Sequence, residues 1–213
     1  MKNVILIGAN GSTSQQILSR LLEQEDVKLT LFLRRAARLQ HLQGARVDIV
    51  EGDASSVADL TRAIEGQEIV ISTLGGMDLD ATTSNIVTAM KQDGAGHIVV
   101  TSAGGIYEEL PAAFNAWDKS MVGQYRPINL KAAEIAEQSG LTYTVLRPVW
   151  LTNSTTEEFQ LTQKGEPFKG TETSRASIGR LVADLVKNPS RYANQSLGIS
   201  QPNTDGDKPA AYR

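Results

Sequence analysis

The sequence predicts an α/β fold: a mainly parallel, doubly wound sheet with a small C-terminal region after it. Three observations lead there. Short continuous apolar runs alternate with longer stretches whose apolar residues recur at helical spacing, the pattern of β-α units joined by right-handed crossovers. A glycine-rich turn follows the first apolar run directly and opens the first helical stretch. The length of 213 residues, 40% apolar and 21% charged, suits one such domain with an appendage.

Val4-Ile5-Leu6-Ile7 is apolar throughout, as a strand buried on both faces must be. Residues 12–24 carry Ile17, Leu18, Leu21 and Leu22 on one helical face. A second strand spans 27–33, a short helix 36–42, and a third strand 47–50. The helix over 56–65 presents Val57, Leu60 and Ile64. The fourth strand covers 69–74 and closes on Gly75-Gly76. Ile86, Val87 and Met90 mark a helix near 81–92, and 97–102 is the fifth strand. A loop and a helix to Ser139 lead to the sixth strand, 142–146, which Arg147-Pro148 ends. Two three-strand halves in succession fit the spatial order 3-2-1-4-5-6 of a Rossmann sheet. Beyond Pro148, residues 158–169 suggest a small hairpin or lid and 176–187 a helix. Leu197-Gly198-Ile199 suggests a late strand, and 201–213 a mobile tail. The cofactor domain is thus 1–148, leaving 65 residues at 149–213 as a substrate or lid region packed on it.

Charge and composition narrow the function. A net charge of -3 argues against a nucleic-acid surface. The absence of cysteine excludes disulfides, thiolate catalysis and Cys-ligated metals, and fits a reducing cytosol. No apolar run reaches the ~20 residues of a membrane span, and the N-terminal one is too short for a signal peptide. The two histidines, His41 and His97, lack ligand spacing, so no metal site is expected. The expectation is a cytoplasmic monomer or homodimer acting on a small molecule, with no nucleic-acid or membrane partner.

Gly8-Ala9-Asn10-Gly11-Ser12-Thr13-Ser14 links the first strand to the first helix. Gly8 permits the tight turn, and Gly11 lets the backbone approach a pyrophosphate. The helix start offers that anion free N–H groups and the positive end of its dipole. Ser14 stands where the usual motif has a third glycine. At the end of the second strand, where NAD-binding proteins carry an acid for the ribose 2′-hydroxyl, stand Arg34 and Arg35. Two guanidiniums suit a 2′-phosphate by charge and geometry, so the cofactor expected is NADP rather than NAD. Gly52-Asp53-Ala54 follows the third strand, and Asp53 either bonds the adenine amino group or caps the next helix. Thr73-Leu74-Gly75 ends the fourth strand with residues small enough to leave room for ribose and nicotinamide.

Together these pieces resemble the atypical short-chain dehydrogenase/reductase superfamily, in its NmrA-like, NAD(P)H-binding branch. The resemblance rests on Gly8-x-x-Gly11-x-x-Ser14, Arg34-Arg35, Gly52-Asp53, Ser72-Thr73-Leu74-Gly75, Thr101-Ser102-Ala103 and Lys131-Ala132-Ala133-Glu134. Its most specific part is the run from Ser139 to Pro148. The resemblance implies that Ser102 and Lys131 are catalytic positions and that Lys131 and Pro148 touch the cofactor. It also implies a relative among flavin, quinone and biliverdin-type reductases, sugar-nucleotide epimerases or non-catalytic redox sensors.

The superfamily's usual mechanism adds a Tyr four residues before the Lys, so that the two share a helix face. That position is Pro127 here, and no Tyr-x-x-x-Lys occurs in the chain. Tyr125 precedes Lys131 by six residues, about 120° away in azimuth on a continuous helix. Pro127 suits a first helical turn, which leaves Tyr125 in the loop before it; Tyr125 and Tyr107 are the remaining tyrosine candidates for proton transfer. Without the tyrosine, hydride transfer to a conjugated acceptor such as a flavin or quinone is favoured over ketone chemistry, because water can supply the proton. A non-catalytic cofactor sensor is the alternative, and a sugar-nucleotide epimerase or dehydratase a weaker one. Trp117 and Trp150 are candidates to line the pocket beside the nicotinamide, and Glu108-Glu109 are expected to face water.

Overall fold

The computed structural model describes residues 1–94 and 96–213. The first half of the chain runs β1 (Lys2–Ile7), α1 (Ser12–Leu22), β2 (Val27–Leu33), β3 (Val47–Glu51), α2 (Val57–Ile64), β4 (Ile69–Ser72), α3 (Leu79–Asp93) and β5 (His97–Thr101). The second runs α4 (Ala112–Val122), α5 (Arg126–Glu137), β6 (Thr142–Pro148), β7 (Trp150–Thr152), β8 (Gln160–Thr162), β9 (Glu172–Ser174), α6 (Arg175–Lys187) and β10 (Gln195–Ser200).

One sheet holds eight strands in the order β3-β2-β1-β4-β5-β6-β10-β8, and β7 pairs with β9 in a small sheet of its own. The first six positions are the expected Rossmann order. The order reverses between β1 and β4, and the crevice at their carboxyl ends is where such sheets bind ligands. Val4 and Leu6 face one core with Ile17 and Leu21 of α1 and Ile178 and Leu181 of α6. Ile5 and Ile7 face the other, with Leu60 of α2, Ile86 of α3 and Ala133 of α5. The unbroken apolar run of β1 thus reflects burial on both faces. α1 and α6 touch closely, since a Cβ on Gly179 would lie 2.6 Å from the Gln16 carbonyl oxygen.

Four expectations change. The helix over 36–42 is two 3-10 turns, Ala36–Arg38 and Gln40–Leu42, separated at Leu39, whose φ of -116° is not helical. Residues 158–169 do not form a hairpin of their own. Their strand β8 pairs antiparallel with β10 and closes the edge of the main sheet. The tail is tied down: the Gly170 N–H donates to Asp205, Thr171 to the Thr204 carbonyl, and Arg213 to the carbonyls of Thr204, Asp205 and Lys208. Glu108 is exposed as expected, but the side chain of Glu109 is only 3% exposed.

Glu109 pairs with Arg147, a wholly buried arginine at the end of β6. Arg147 also donates from Nε to Ser196 Oγ and from Nη2 to the Ser196 carbonyl, both at 3.1 Å. The Glu109 carboxylate accepts the N–H groups of Gly105 and Tyr107 at 3.2 and 2.8 Å, and its carbonyl accepts from Phe168 N–H at 2.9 Å. One ion pair therefore fastens β6, β10, the loop after β5 and the C-terminal region together.

Removing one member of a buried pair leaves the other charged and unsolvated. Glu109→Ala is expected to lower unfolding stability by about 3–5 kcal/mol in urea titrations. Lys28→Ala, which opens an exposed pair with Asp48, is expected to lower it by less than about 1 kcal/mol.

A second expectation concerns pH. His97 is buried, and its Nε2 lies 2.8 Å from Thr144 Oγ1, which itself donates to the Tyr192 carbonyl. Burial pulls the imidazole pKa down to about 4. The unfolded chain then binds a proton below about pH 6.5 that the folded chain refuses until about pH 4. Stability should fall as pH drops through that window and level off beneath it. His97→Gln is expected to flatten this slope in denaturation curves taken across the window.

Candidate functional site

The carboxyl ends of β1, β2, β3 and β4 border a cleft of about 770 Å³. Gly8 turns there with φ +79°, and a Cβ on it would meet Leu74 Cδ2 at 3.0 Å. Gly11 precedes α1, and no side chain caps that helix, so its first N–H groups remain available to an anion. Ser14 is fully buried. Its hydroxyl donates to the Gly8 carbonyl at 2.8 Å and bonds the Thr73 hydroxyl, fastening the phosphate turn to the end of β4. Sequence reasoning gave Ser14 only the part of a small residue.

Arg34 and Arg35 line the cleft from the end of β2, and Arg38 joins them. Among the described residues none of the three has a carboxylate partner within 4.0 Å. Glu51 accepts the Ala36 N–H at 2.8 Å and holds this arginine turn against β3. Arg38 was missed because no motif marked it; its N–H bonds the Arg35 carbonyl at 3.1 Å across the turn, which brings the two residues together. Phe32 and Gly52 lie beneath, so close that a Cβ on Gly52 would stand 2.5 Å from the phenyl ring.

Asp53 and Ala54 line the cleft as expected. The Asp53 carboxylate accepts the Ser55 N–H at 2.9 Å. That bond chiefly lowers its pKa, with the Ser55 hydroxyl and the nearby Arg34 charge assisting. The cap of α2 is not Asp53 but Ser56, which accepts from Asp59 N–H at 3.2 Å. Thr73, Leu74 and Gly75 form the β4 side, and Asp78 and Thr82 at the start of α3 complete the lining. These last two carried no motif signal. Ser12, Thr13, Lys131 and Pro148 are not among the cleft-lining residues; Ser12 and Thr13 sit in the first turn of α1.

The expected catalytic residues are held by different partners. The Ser102 hydroxyl donates to the Asn129 carbonyl of α5 at 3.0 Å. Lys131 is exposed, with its Nζ 2.9 Å from Asp80 at the start of α3. That bond lowers the Asp80 pKa. Pro127 occupies the first turn of α5. Tyr125 ends the 3-10 turn before it, and its carbonyl accepts from Asn129 Nδ2 at 2.9 Å. Tyr107 points elsewhere. Its hydroxyl donates to Glu137 at 2.6 Å, and its ring lies 5.0 Å from the Arg147 guanidinium. Burial first, then Glu137, raises its pKa. Glu137 is six residues beyond Lys131, about 9 Å along α5, so Tyr107 does not share the position of Lys131. Among the described residues no cluster of three or more His, Cys, Asp or Glu could hold a metal. No described helix is long and apolar enough to cross a membrane.

The uncapped helix start, the three cleft arginines and the phenyl floor fit a dinucleotide. Sheet order and cleft together define a Rossmann-type dinucleotide-binding protein. Residues 8–189 match the NAD(P)H-binding family, and the chain belongs to that family. It is similar to a Rossmann-fold NAD(P)-binding family protein from Shigella flexneri, with 34% identity, 98% of each chain covered and a TM-score of 0.85. A short-chain dehydrogenase/reductase from Veillonella parvula in complex with NADP superposes with a TM-score of 0.91 at 25% identity, covering 98% of this chain and 99% of that one. An uncharacterized sugar epimerase of Bacillus subtilis, YhfK, is 27% identical over 158 residues, 70% of this chain and 72% of its own length.

Proposed function

We propose that the chain is an NADPH-dependent reductase that passes hydride to a small conjugated acceptor such as a flavin or quinone, without a tyrosine proton donor. The observation that carries the reading is Pro127 in the first turn of α5, where the superfamily's tyrosine would stand, together with Lys131 drawn to Asp80 instead of to a phenol. When bound, the reduced nicotinamide supplies the hydride. Arg34, Arg35 and Arg38 would hold the 2′-phosphate, the N–H groups at the start of α1 the pyrophosphate, and Lys131 the nicotinamide ribose. The NADP bound to the Veillonella parvula relative supports this cofactor choice. Ser102, committed to the Asn129 carbonyl, secures α5 against β5 rather than moving a proton. An electron-poor acceptor asks for orientation more than acid catalysis, and water can protonate the product. The partner is then a small molecule, and the working form a cytoplasmic monomer or homodimer.

The Lys131–Asp80 pair also favours a second reading, a cofactor sensor with no turnover. An epimerase, as the Bacillus subtilis relative is named, would need the tyrosine that Pro127 replaces.

Oxidation of NADPH should be followed with flavin mononucleotide, menadione and simple ketones. Turnover of the first two alone is expected. Replacing Arg34, Arg35 and Arg38 together by Ala should raise the NADPH KM roughly ten- to hundredfold and change the NADH KM little, since charge-assisted hydrogen bonds of about 1.5–3 kcal/mol are removed. Ketone turnover contradicts the reading. Binding without turnover, with NADPH and NADP held at different affinities, supports the sensor.

A further inference from the structure

Trp117 of α4, Trp150 of β7 and Tyr212 form a triangle of rings. Their centroids lie 5.1 Å apart for the tryptophan pair and 5.2 Å from each tryptophan to the tyrosine. Tyr212 meets Trp150 edge-on at 86° and Trp117 tilted at 55°. The buried Phe114 stacks behind Trp117 at 6.0 Å. Trp150 lies just past Pro148, the end of β6, at the carboxyl edge of the sheet. The Gly104 N–H donates to the Pro148 carbonyl at 2.7 Å, which brings the strand end carrying Ser102 alongside. The cluster therefore stands at the edge of the sheet where a hydride acceptor must arrive.

The triangle is closed. Stacked rings need about 3.5 Å on each side, so a planar guest between two of these rings requires about 7 Å, more than any gap offers. One corner is loosely held. Residues 210–213 are exposed, and Tyr212 itself is 42% exposed. Ala210 N–H donates to the Glu172 carboxylate on the body. The remaining bonds of the tip stay within the tail: Tyr212 N–H to the Pro209 carbonyl at 2.9 Å, and Arg213 to the carbonyls of Thr204, Asp205 and Lys208. Swinging residues 210–213 out together would break the Ala210 bond to Glu172 and the Arg213 bonds to Thr204 and Asp205, but turning the Tyr212 side chain alone breaks only the ring contacts, a small local opening.

We propose that Trp117 and Trp150 form a subsite for a planar conjugated acceptor, and that Tyr212 fills it in the free protein and is displaced when the acceptor binds. The reductase reading supplies the acceptor's class; the subsite rests on the ring geometry.

The chain's two tryptophans are both in the cluster, so intrinsic fluorescence reports on it directly. Menadione is a suitable probe because the chain has no cysteine for it to alkylate. Titrated into the cofactor-free protein, menadione should quench the tryptophans. Tyr212→Ala should lower the half-saturating concentration about two- to tenfold, the worth of one aromatic pair, and Tyr212→Phe, which keeps the ring, should bind as the wild type does. Trp150→Phe should remove its share of the quenching while Trp117 still responds. With NADPH present, Tyr212→Ala should lower the menadione KM by a similar factor and leave the NADPH KM in place. Menadione that quenches neither form, or a Tyr212→Ala protein that binds it no more tightly, overturns the proposal. Tighter quenching without NADPH oxidation upholds the subsite and contradicts the reductase reading. Oxidation whose menadione KM ignores Tyr212→Ala does the reverse.

Discussion

The buried Arg147–Glu109 pair is the interaction on which the arrangement of the site depends. A guanidinium with no solvent exposure is tolerable only when its donors are used, and here they meet Ser196 twice and Glu109. Glu109 is in turn saturated by two backbone N–H groups of the loop that leaves β5. The loop therefore has one course, and α4, which follows it, is placed as a consequence. A second buried pair, Arg126 with Asp118 at 2.6 Å, ties α4 to the start of α5. Burial raises the Asp118 pKa and Arg126 opposes that shift. Between them the two pairs hold the loop after β5, α4 and the start of α5, while the cleft beside β1 rests on Gly8, Ser14 and Thr73.

The division of labour across the sheet edge has a chemical reading. The cleft side is rich in specific features: three arginines, a phenyl floor and an uncapped helix start. The side expected to hold the reacting atoms carries few proton-transferring groups. Ser102 is spent on a helix carbonyl and Tyr107 on a glutamate. A protein that binds its dinucleotide with care and supplies little acid–base machinery suits an acceptor that is already reactive.

Much of this was legible in the sequence because it was periodic or local. The strands of the six-strand core are runs such as 4–7, and the phosphate turn is a contiguous motif between a strand and a helix. The place of Arg34 and Arg35 in the cleft was legible because they directly follow the second strand, and a strand end is a local feature. What the sequence hid was long-range. Glu109 looks like its exposed neighbour Glu108, and only Arg147, 38 positions later, makes it a core residue. β8 is short and half polar because it is an edge strand, so no alternation marked it. The tail lacks large apolar residues, and its order comes from hydrogen bonds between side chains and backbone groups, those of Thr204, Asp205 and Arg213 among them, and from one tyrosine ring. Tyr107 and Tyr125 were indistinguishable as proton donors until the fold turned Tyr107 toward the far end of α5.

The central claim is an NADP site whose reacting end works without a tyrosine, and a crystal structure with NADP bound tests it most directly. The account predicts the 2′-phosphate within about 3 Å of guanidinium nitrogens from Arg34, Arg35 or Arg38. It also predicts Lys131 at the nicotinamide ribose and no tyrosine hydroxyl beside the nicotinamide ring. A 2′-phosphate turned away from the arginines, or the Tyr125 hydroxyl within hydrogen-bond reach of the nicotinamide, would contradict it.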